Sequence, residues 1–293
     1  MKLRPLRFGV VTGNALSHAE WIAKARKAEG LGYATLLVPD HITIGIAPLT
    51  ALAVAAEATT TLRIGSLVFC NDFRHPAWLA KEAATLDLLS DGRFELGMGA
   101  GYLPADYIQT GIPFESPGTR VSRLEEALRI MEQLFTQETV NFSGAYYTIT
   151  GMQGKPKPVQ KPHPPIYIGC SGKRLISIAA QRADSIGIGF NIWKREVTEV
   201  KPEDIAQKIA WVREAAGKRF EHLELGYTVF HLTHANAKTG VSFPPSLHVL
   251  DGGIDQIVEE ILARRERYGF SYIQVQEWQM EAFAPVVARL AGK

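Results

Sequence analysis

The stretch SDGRFELGMGAG (Ser90–Gly101) places Gly97, Gly99 and Gly101 at alternate positions behind a short apolar run. Alternating glycines after a strand suggest a dinucleotide-binding turn, G-x-G-x-x-G, whose third glycine opens a helix so that backbone N–H groups face a pyrophosphate. Here the third glycine falls one residue early, and Tyr102, Leu103 and Pro104 follow where that helix should run. The stretch also lies far into the chain rather than in a first βαβ unit, so the dinucleotide-binding reading fails on its context. The fold must be read from the flanking elements.

Short β-rich runs alternate with longer helical patterns on both sides, the signature of a parallel sheet built from βα units. The first strand is LRFGVV (Leu6–Val11), followed by a helix from Ser17 to Leu31 with Ser17 as N-cap and Glu20 completing a capping box. The second is ATLLVPDH with a helix after Pro48, and the third is LRIGSLVF with a helix from His75 to Leu89. RFELGMG is the fourth strand, and its helix arrives late, over Ser122–Phe135, where apolar residues recur at helical spacing. Strands five to eight are PIYIGCSG, ADSIGIGF, LELGYTVF and YIQVQ, with helices from Lys173, Pro202 and Ile254 and a last one ending at Leu290. Eight βα units without a composition break predict an α/β fold, a (β/α)8 TIM barrel in a single domain over 1–293; a doubly wound sheet would usually need fewer strands. Insertions are expected after strand four (about 102–121), before strand five (about 137–163) and after strand seven (about 231–253). The second contains TVNFSGAYYTITG, a β-hairpin turning at Ser143-Gly144, and then the stiff connector KPKPVQKPHPP.

Composition narrows the function. With 32 basic and 30 acidic residues scattered over 293 positions, no electrostatic footprint for nucleic acid is visible. Two cysteines, Cys70 and Cys170, make no disulfide framework, the N-terminal apolar stretch is too short for a signal peptide, and a reducing cytoplasm is expected. The most apolar region, Tyr33–Ala56, is broken by Asp40, His41 and two prolines, so no membrane segment is read.

In such a barrel the carboxyl ends of the strands carry the chemistry. That selects Asp40-His41, Cys70–His75, Gly97–Asp106, Gly169–Arg174, Asn191–Lys194 and His231–His234. His41 can exchange a proton near neutral pH while the neighbouring Asp40 carboxylate fixes its tautomer; a histidine that merely caps the loop is the other reading. GCSGKR sets Ser171, Gly172, Lys173 and Arg174 between a strand and a helix N-terminus, where N–H groups and basic side chains can hold a phosphate. It is neither a P-loop nor a nucleophile elbow, because Lys173 stands where the elbow needs glycine. Cys170 reads as a packed small residue or a reactive thiol. His231 and His234 lack a convincing third ligand nearby, so they are taken as loop or substrate-pocket residues and no metal is expected. Trp193 and Lys194 either cover the open side or lie in a solvated loop, His75 and Pro76 start a helix, and Gly97 can relieve barrel packing.

VPDH (Val38–His41), NDFRHPAWLAKEAATLDLLSDGRFELGMGAGY (Asn71–Tyr102) and GTRVSRLEEALRIMEQLF (Gly118–Phe135) resemble the bacterial-luciferase-like superfamily, and within it the branch using the deazaflavin coenzyme F420. The resemblance runs through nearly the whole chain. It implies an oxidoreductase moving a hydride between the deazaflavin C5 and a small organic substrate, with FMN-dependent monooxygenase or flavin reductase as the alternative, and a non-catalytic flavin-binding barrel as a further one. It implies that Gly99, Ala100 and Gly101 floor the flavin pocket, that His41 lines it, and that a non-prolyl cis peptide at Leu67-Val68 backs the ring. Asn71 and Arg74 would meet the ring edge or the cofactor tail, and Cys170, Ser171, Gly172, Lys173 and Arg174 would take its phosphate. Sugar-phosphate dehydrogenases of that branch carry a glutamate where Tyr102 stands, which argues against glucose-6-phosphate, and leaves Tyr102 and Asp106 to shape the pocket. Pairing into a homodimer is also implied.

Overall fold

The computed structural model describes residues 3–189, 201–232 and 246–293. The eight expected strands are β1 (Arg7–Val11), β2 (Thr35–Val38), β3 (Arg63–Ser66), β4 (Phe94–Gly99), β5 (Ile166–Cys170), β6 (Ser185–Ile188), β7 (Glu224–Val229) and β8 (Phe270–Gln276). Each lies parallel to its sequence neighbours, and β8 returns to β1 with Tyr272 opposite Arg7, so the sheet closes into a TIM barrel. The helices are α1 (His18–Gly30), α2 (Pro48–Ala58), α3 (Pro76–Leu89), α4 (Pro104–Thr110), α5 (Pro117–Thr136), α6 (Lys173–Arg182), α7 (Pro202–Ala216), α8 (Ile254–Tyr268) and α9 (Met280–Leu290). None of the described helices is long and apolar enough to cross a membrane.

Alternation along each strand sorts side chains to the two faces of the barrel. On β1, Phe8 and Val10 join the large apolar layer under the helices, whereas Val11 packs inside with Leu37, Tyr167 and Tyr272. At the amino-terminal end the interior is ionic. The Arg7 guanidinium meets Glu95 at 2.6 Å and Glu224 at 2.6 Å, and stacks 3.6 Å from the centre of the Tyr272 ring. Arg63 also reaches Glu95 at 2.6 Å, and the Ser185 hydroxyl donates to Glu224 at 2.8 Å. Burial by itself would raise the Glu95 pKa, but the charges of Arg7 and Arg63 outweigh it and hold the carboxyl below its ordinary range. Above this layer two tyrosines fill the lumen. A Cβ added to Gly187 would fall 1.7 Å from the Tyr167 hydroxyl, so only glycine fits beneath it.

Three local features differ from expectation. The insertion after β4 is not all loop but folds α4, and α5 starts at Pro117 rather than Ser122. Ser116 accepts from the Thr119 N–H and Pro117 has a φ suited to the first helical turn, so the two residues nucleate the helix earlier than its apolar stripe suggests. Ser17 caps α1 as expected, but the Glu20 carboxylate accepts from Leu16 N–H rather than from Ser17, leaving the capping box incomplete. The hairpin before β5 forms, with Val140–Ser143 antiparallel to Thr148–Met152.

Arg7→Met should lower stability by about 3–5 kcal/mol, because it leaves Glu224 and part of Glu95 buried without a cation. Urea unfolding at neutral pH measures this. Since the folded pKa of Glu95 is depressed, its contribution is present above the unfolded carboxylate value and lost as pH falls through the folded one. Acid destabilisation should therefore be shallower in Arg7→Met than in the parent.

Candidate active site

The carboxyl ends of the strands open onto a cavity of about 730 Å³. Its wall includes Asp40 and His41 after β2, Leu67 and Val68 after β3, Gly99 to Tyr102 after β4, and Cys170 to Arg174 after β5. Those expected positions therefore come together around one space. The peptide Leu67-Val68 is cis, and His75 caps α3 by accepting from Ala77 N–H, both as expected. Asn191, Trp193, Lys194 and His234 lie outside the described residues.

His41 lines the cavity with a partner other than the one expected. Its Nδ1 lies 2.8 Å from Oδ2 of Asp106, a residue of α4, and its Nε2 lies 3.3 Å from the Tyr102 hydroxyl. The two rings meet edge to face, centroids 5.5 Å apart. Oδ1 of Asp106 accepts from the N–H groups of Ile42 and Thr43 and from the Thr43 hydroxyl. Burial would raise the Asp106 pKa, but these hydrogen bonds and the one to His41 hold it below the ordinary value. Asp40, expected to orient His41, turns the other way. Its two oxygens grip the Arg74 guanidinium, with Nη2 to Oδ1 at 2.9 Å, and Oδ2 also accepts from Cys70 N–H at 3.0 Å. Arg74 is thereby committed to Asp40 rather than to a ring edge or tail. Consecutive residues leaving a strand point in opposite directions, which is why the adjacent carboxylate is the wrong one.

The glycine floor is also partly corrected. Gly99, Ala100 and Gly101 line the cavity, but a Cβ on Gly99 would lie 2.5 Å from a Val68 methyl. At Gly101, with φ +75°, it would lie 1.9 Å from the Tyr107 hydroxyl. These glycines admit the protein's own side chains behind the wall. Gly97, whose Cβ would meet the Ser66 carbonyl oxygen at 1.9 Å, relieves strand packing, as one reading of it held. Asn71 does not line the cavity; its amide donates to the Tyr147 hydroxyl at 3.2 Å and so braces the hairpin.

Also in the wall, Gly172 precedes α6 without a side-chain cap, and a Cβ there would meet nothing within 4 Å. The first N–H groups of α6 and the exposed Lys173 border this open space. Arg174 reaches across to α5, donating to the Gly118 carbonyl at 3.0 Å and the Ser122 hydroxyl at 2.8 Å. Cys170 is packed inside, where burial pushes its thiol up to about 12, and so behaves as the small packed residue. His231 pairs with Val249 in a short parallel ladder and is absent from the described cavity wall, and no metal-binding group of His, Cys, Asp and Glu occurs among the described residues.

Sequence reading passed over Arg120, Tyr167, Thr228 and His248, all in the cavity wall. Arg120 is buried under the wall, donating to the Ala100 carbonyl at 3.2 Å and lying 4.2 Å from the centre of the Phe114 ring. The Nδ1 of His248 donates to the Thr228 carbonyl at 2.6 Å, and burial drops its pKa to about 4, so the imidazole is neutral. Thr228 and Tyr167 sit on recognised strands, where alternation marks an inward face. Nothing in the local pattern marks Arg120 or His248.

The sequence profile of the luciferase-like monooxygenases matches residues 6–239. An uncharacterized protein of Mycobacterium tuberculosis (strain ATCC 25618 / H37Rv) is 31% identical over 220 residues, 67% of this chain and 74% of its own. The F420-dependent glucose-6-phosphate dehydrogenase of Amycolatopsis mediterranei is 30% identical over 208 residues, 68% of this chain and 61% of its own. In fold, the crystal structure of monooxygenase RslO1 from Streptomyces bottropensis superposes with a TM-score of 0.78 at 20% identity, covering 97% of this chain and 99% of the other. With its cavity at the carboxyl face of a closed barrel and this profile spanning most of its length, the chain belongs to the luciferase-like monooxygenase family, which includes F420-dependent oxidoreductases among its relatives.

Proposed function

We propose that the protein is an F420-dependent oxidoreductase that moves a hydride between the deazaflavin C5 and a small organic substrate. The observation that carries this reading is His41, held by Asp106 in the wall of a cavity that is also lined by the uncapped start of α6. The residues fit the cofactor. Val11, Pro39, Leu67 and Val68 give the cavity an apolar lining suited to a planar ring. The space over Gly172, bordered by α6 N–H groups and Lys173, suits a phosphate. When bound, the deazaflavin supplies or accepts the hydride, and that chemistry is its own. His41 holds or moves a proton at Nε2, and the apolar walls exclude water and keep two reactants in register. Resemblance to the glucose-6-phosphate enzyme supports the cofactor more than the substrate, since Tyr102 brings a neutral hydroxyl to the reacting end.

Fluorescence titrations with F420 and with FMN at one salt concentration test the reading. Binding of F420 alone supports it, preference for FMN favours flavin monooxygenase or reductase chemistry, and binding of neither overturns it. Lys173→Ala should weaken F420 binding and flatten its salt dependence, because one exposed cation near the phosphate is removed. His41→Ala should lower turnover by on the order of 100-fold, the scale of one general acid–base group. Unchanged turnover and cofactor affinity would remove His41 from the mechanism.

A further inference from the structure

Four donors converge on Asp106: Nδ1 of His41 at 2.8 Å, the N–H groups of Ile42 and Thr43 at 3.0 Å each, and the Thr43 hydroxyl at 2.8 Å. Its side chain is 2% exposed. An ionised carboxylate only accepts, so Nδ1 must carry hydrogen. In the neutral ring Nε2 is then bare and accepts from the Tyr102 hydroxyl; in the charged ring Nε2–H donates to it. Free neutral histidine prefers the opposite tautomer, with hydrogen on Nε2, so Asp106 selects the less common form. The same carboxylate ties the 41–43 loop to α4, fixing where the ring lies. Asp40, the carboxylate next to His41 in the chain, is held by Arg74 in a forked pair. Tyr102 and His41 both line the cavity.

We propose that Asp106, His41 and Tyr102 form a proton relay in which Asp106 is the positioning residue and Tyr102 the catalytic residue that meets the substrate oxygen. The inference rests on the oxidoreductase reading above. In the direction of carbonyl reduction, a reduced deazaflavin, once bound, would supply the carbonyl carbon with the hydride and its two electrons and be oxidised in turn. The π pair of the carbonyl moves onto oxygen, and that oxygen takes the proton of the Tyr102 hydroxyl. Tyr102 Oη is reprotonated by Nε2 of imidazolium His41, which ends neutral with its hydrogen on Nδ1 against Asp106. Alcohol oxidation runs the same path backwards, and the imidazolium it creates faces the carboxylate that stabilises it. The relay suits a neutral alcohol or carbonyl compound, whose oxygen is the only group it must hold.

Asp106→Asn separates positioning from packing. An asparagine oxygen can keep the Ile42 and Thr43 donors, but its NH2 then faces Nδ1, which must accept. Hydrogen moves to Nε2 and the relay is reversed at its centre. The ¹⁵N spectrum of histidine in the cofactor-free protein at about pH 8, above the ordinary histidine range, should show Nδ1–H at His41 in the parent and Nε2–H in Asp106→Asn. Turnover should fall by on the order of 100-fold with F420 affinity retained. Tyr102→Phe, which leaves Asp106 and its loop untouched, should keep the Nδ1–H tautomer and lose turnover to a similar degree. Nε2–H in the parent, an unchanged spectrum in Asp106→Asn, or full turnover in Tyr102→Phe would each overturn the relay. If F420 does not bind the parent, the oxidoreductase reading fails and the relay fails with it, whereas a wrong tautomer in a protein that binds F420 rejects the relay alone.

Discussion

A buried arginine sets the terms for this barrel. Arg7 cannot be desolvated without anions, and the two that serve it come from β4 and β7, strands far apart in sequence. Satisfying one guanidinium therefore requires β1, β4 and β7 to present Arg7, Glu95 and Glu224, near their amino-terminal ends, to a common centre, and Arg63 of β3 joins through Glu95. The ionic layer closes the amino-terminal end and pins the relative heights of the strands. Two tyrosines fill the layer above it, with glycine opposite where their rings need the space. What remains open is the carboxyl end.

Charge is handled differently there. Asp40 is spent on Arg74 and the Cys70 N–H, which fixes the β2 exit against the short segment after β3. Asp72 likewise accepts from Tyr107 at 3.0 Å and Arg123 at 2.9 Å, joining that segment to α4 and α5. These pairs are structural and leave the cavity with few uncompensated charges among the described residues. Asp106 is the exception in consequence, since its partner is the imidazole of His41, which lines the cavity.

The barrel was legible because its signals are local. Period-two alternation, helix caps and the punctuation by glycine and proline are each written within a few residues, and eight repetitions leave little choice of architecture. The cavity wall was legible for the same reason, once the strand ends were placed. Side-chain partners were not. His41 pairs with a carboxylate 65 positions away, inside an insertion whose helix has only seven residues and a weak pattern of its own. The adjacent Asp40 looked like the natural partner, but adjacency in an extended chain separates side chains rather than joining them. The direction of Asn71 depends on a 3-10 turn and on a hairpin packed outside it, neither of which its local sequence encodes. His248 follows a segment with no strand rhythm, and its neutral state comes from burial that no short motif encodes.

The insertion after β4 has a double employment that bears on how such proteins diversify. Loops at this face of a barrel are usually free to vary, because the scaffold below does not depend on them. Here the insertion shapes one wall of the pocket and also carries the carboxylate that orients the histidine across from it. A change of sequence in α4 that suited a new substrate would also disturb the orientation of His41 unless position 106 were preserved. Selection for altered substrate range is thereby channelled to other loops, or to substitutions around a fixed aspartate, and a loop exchanged with a relative would transplant chemistry along with shape.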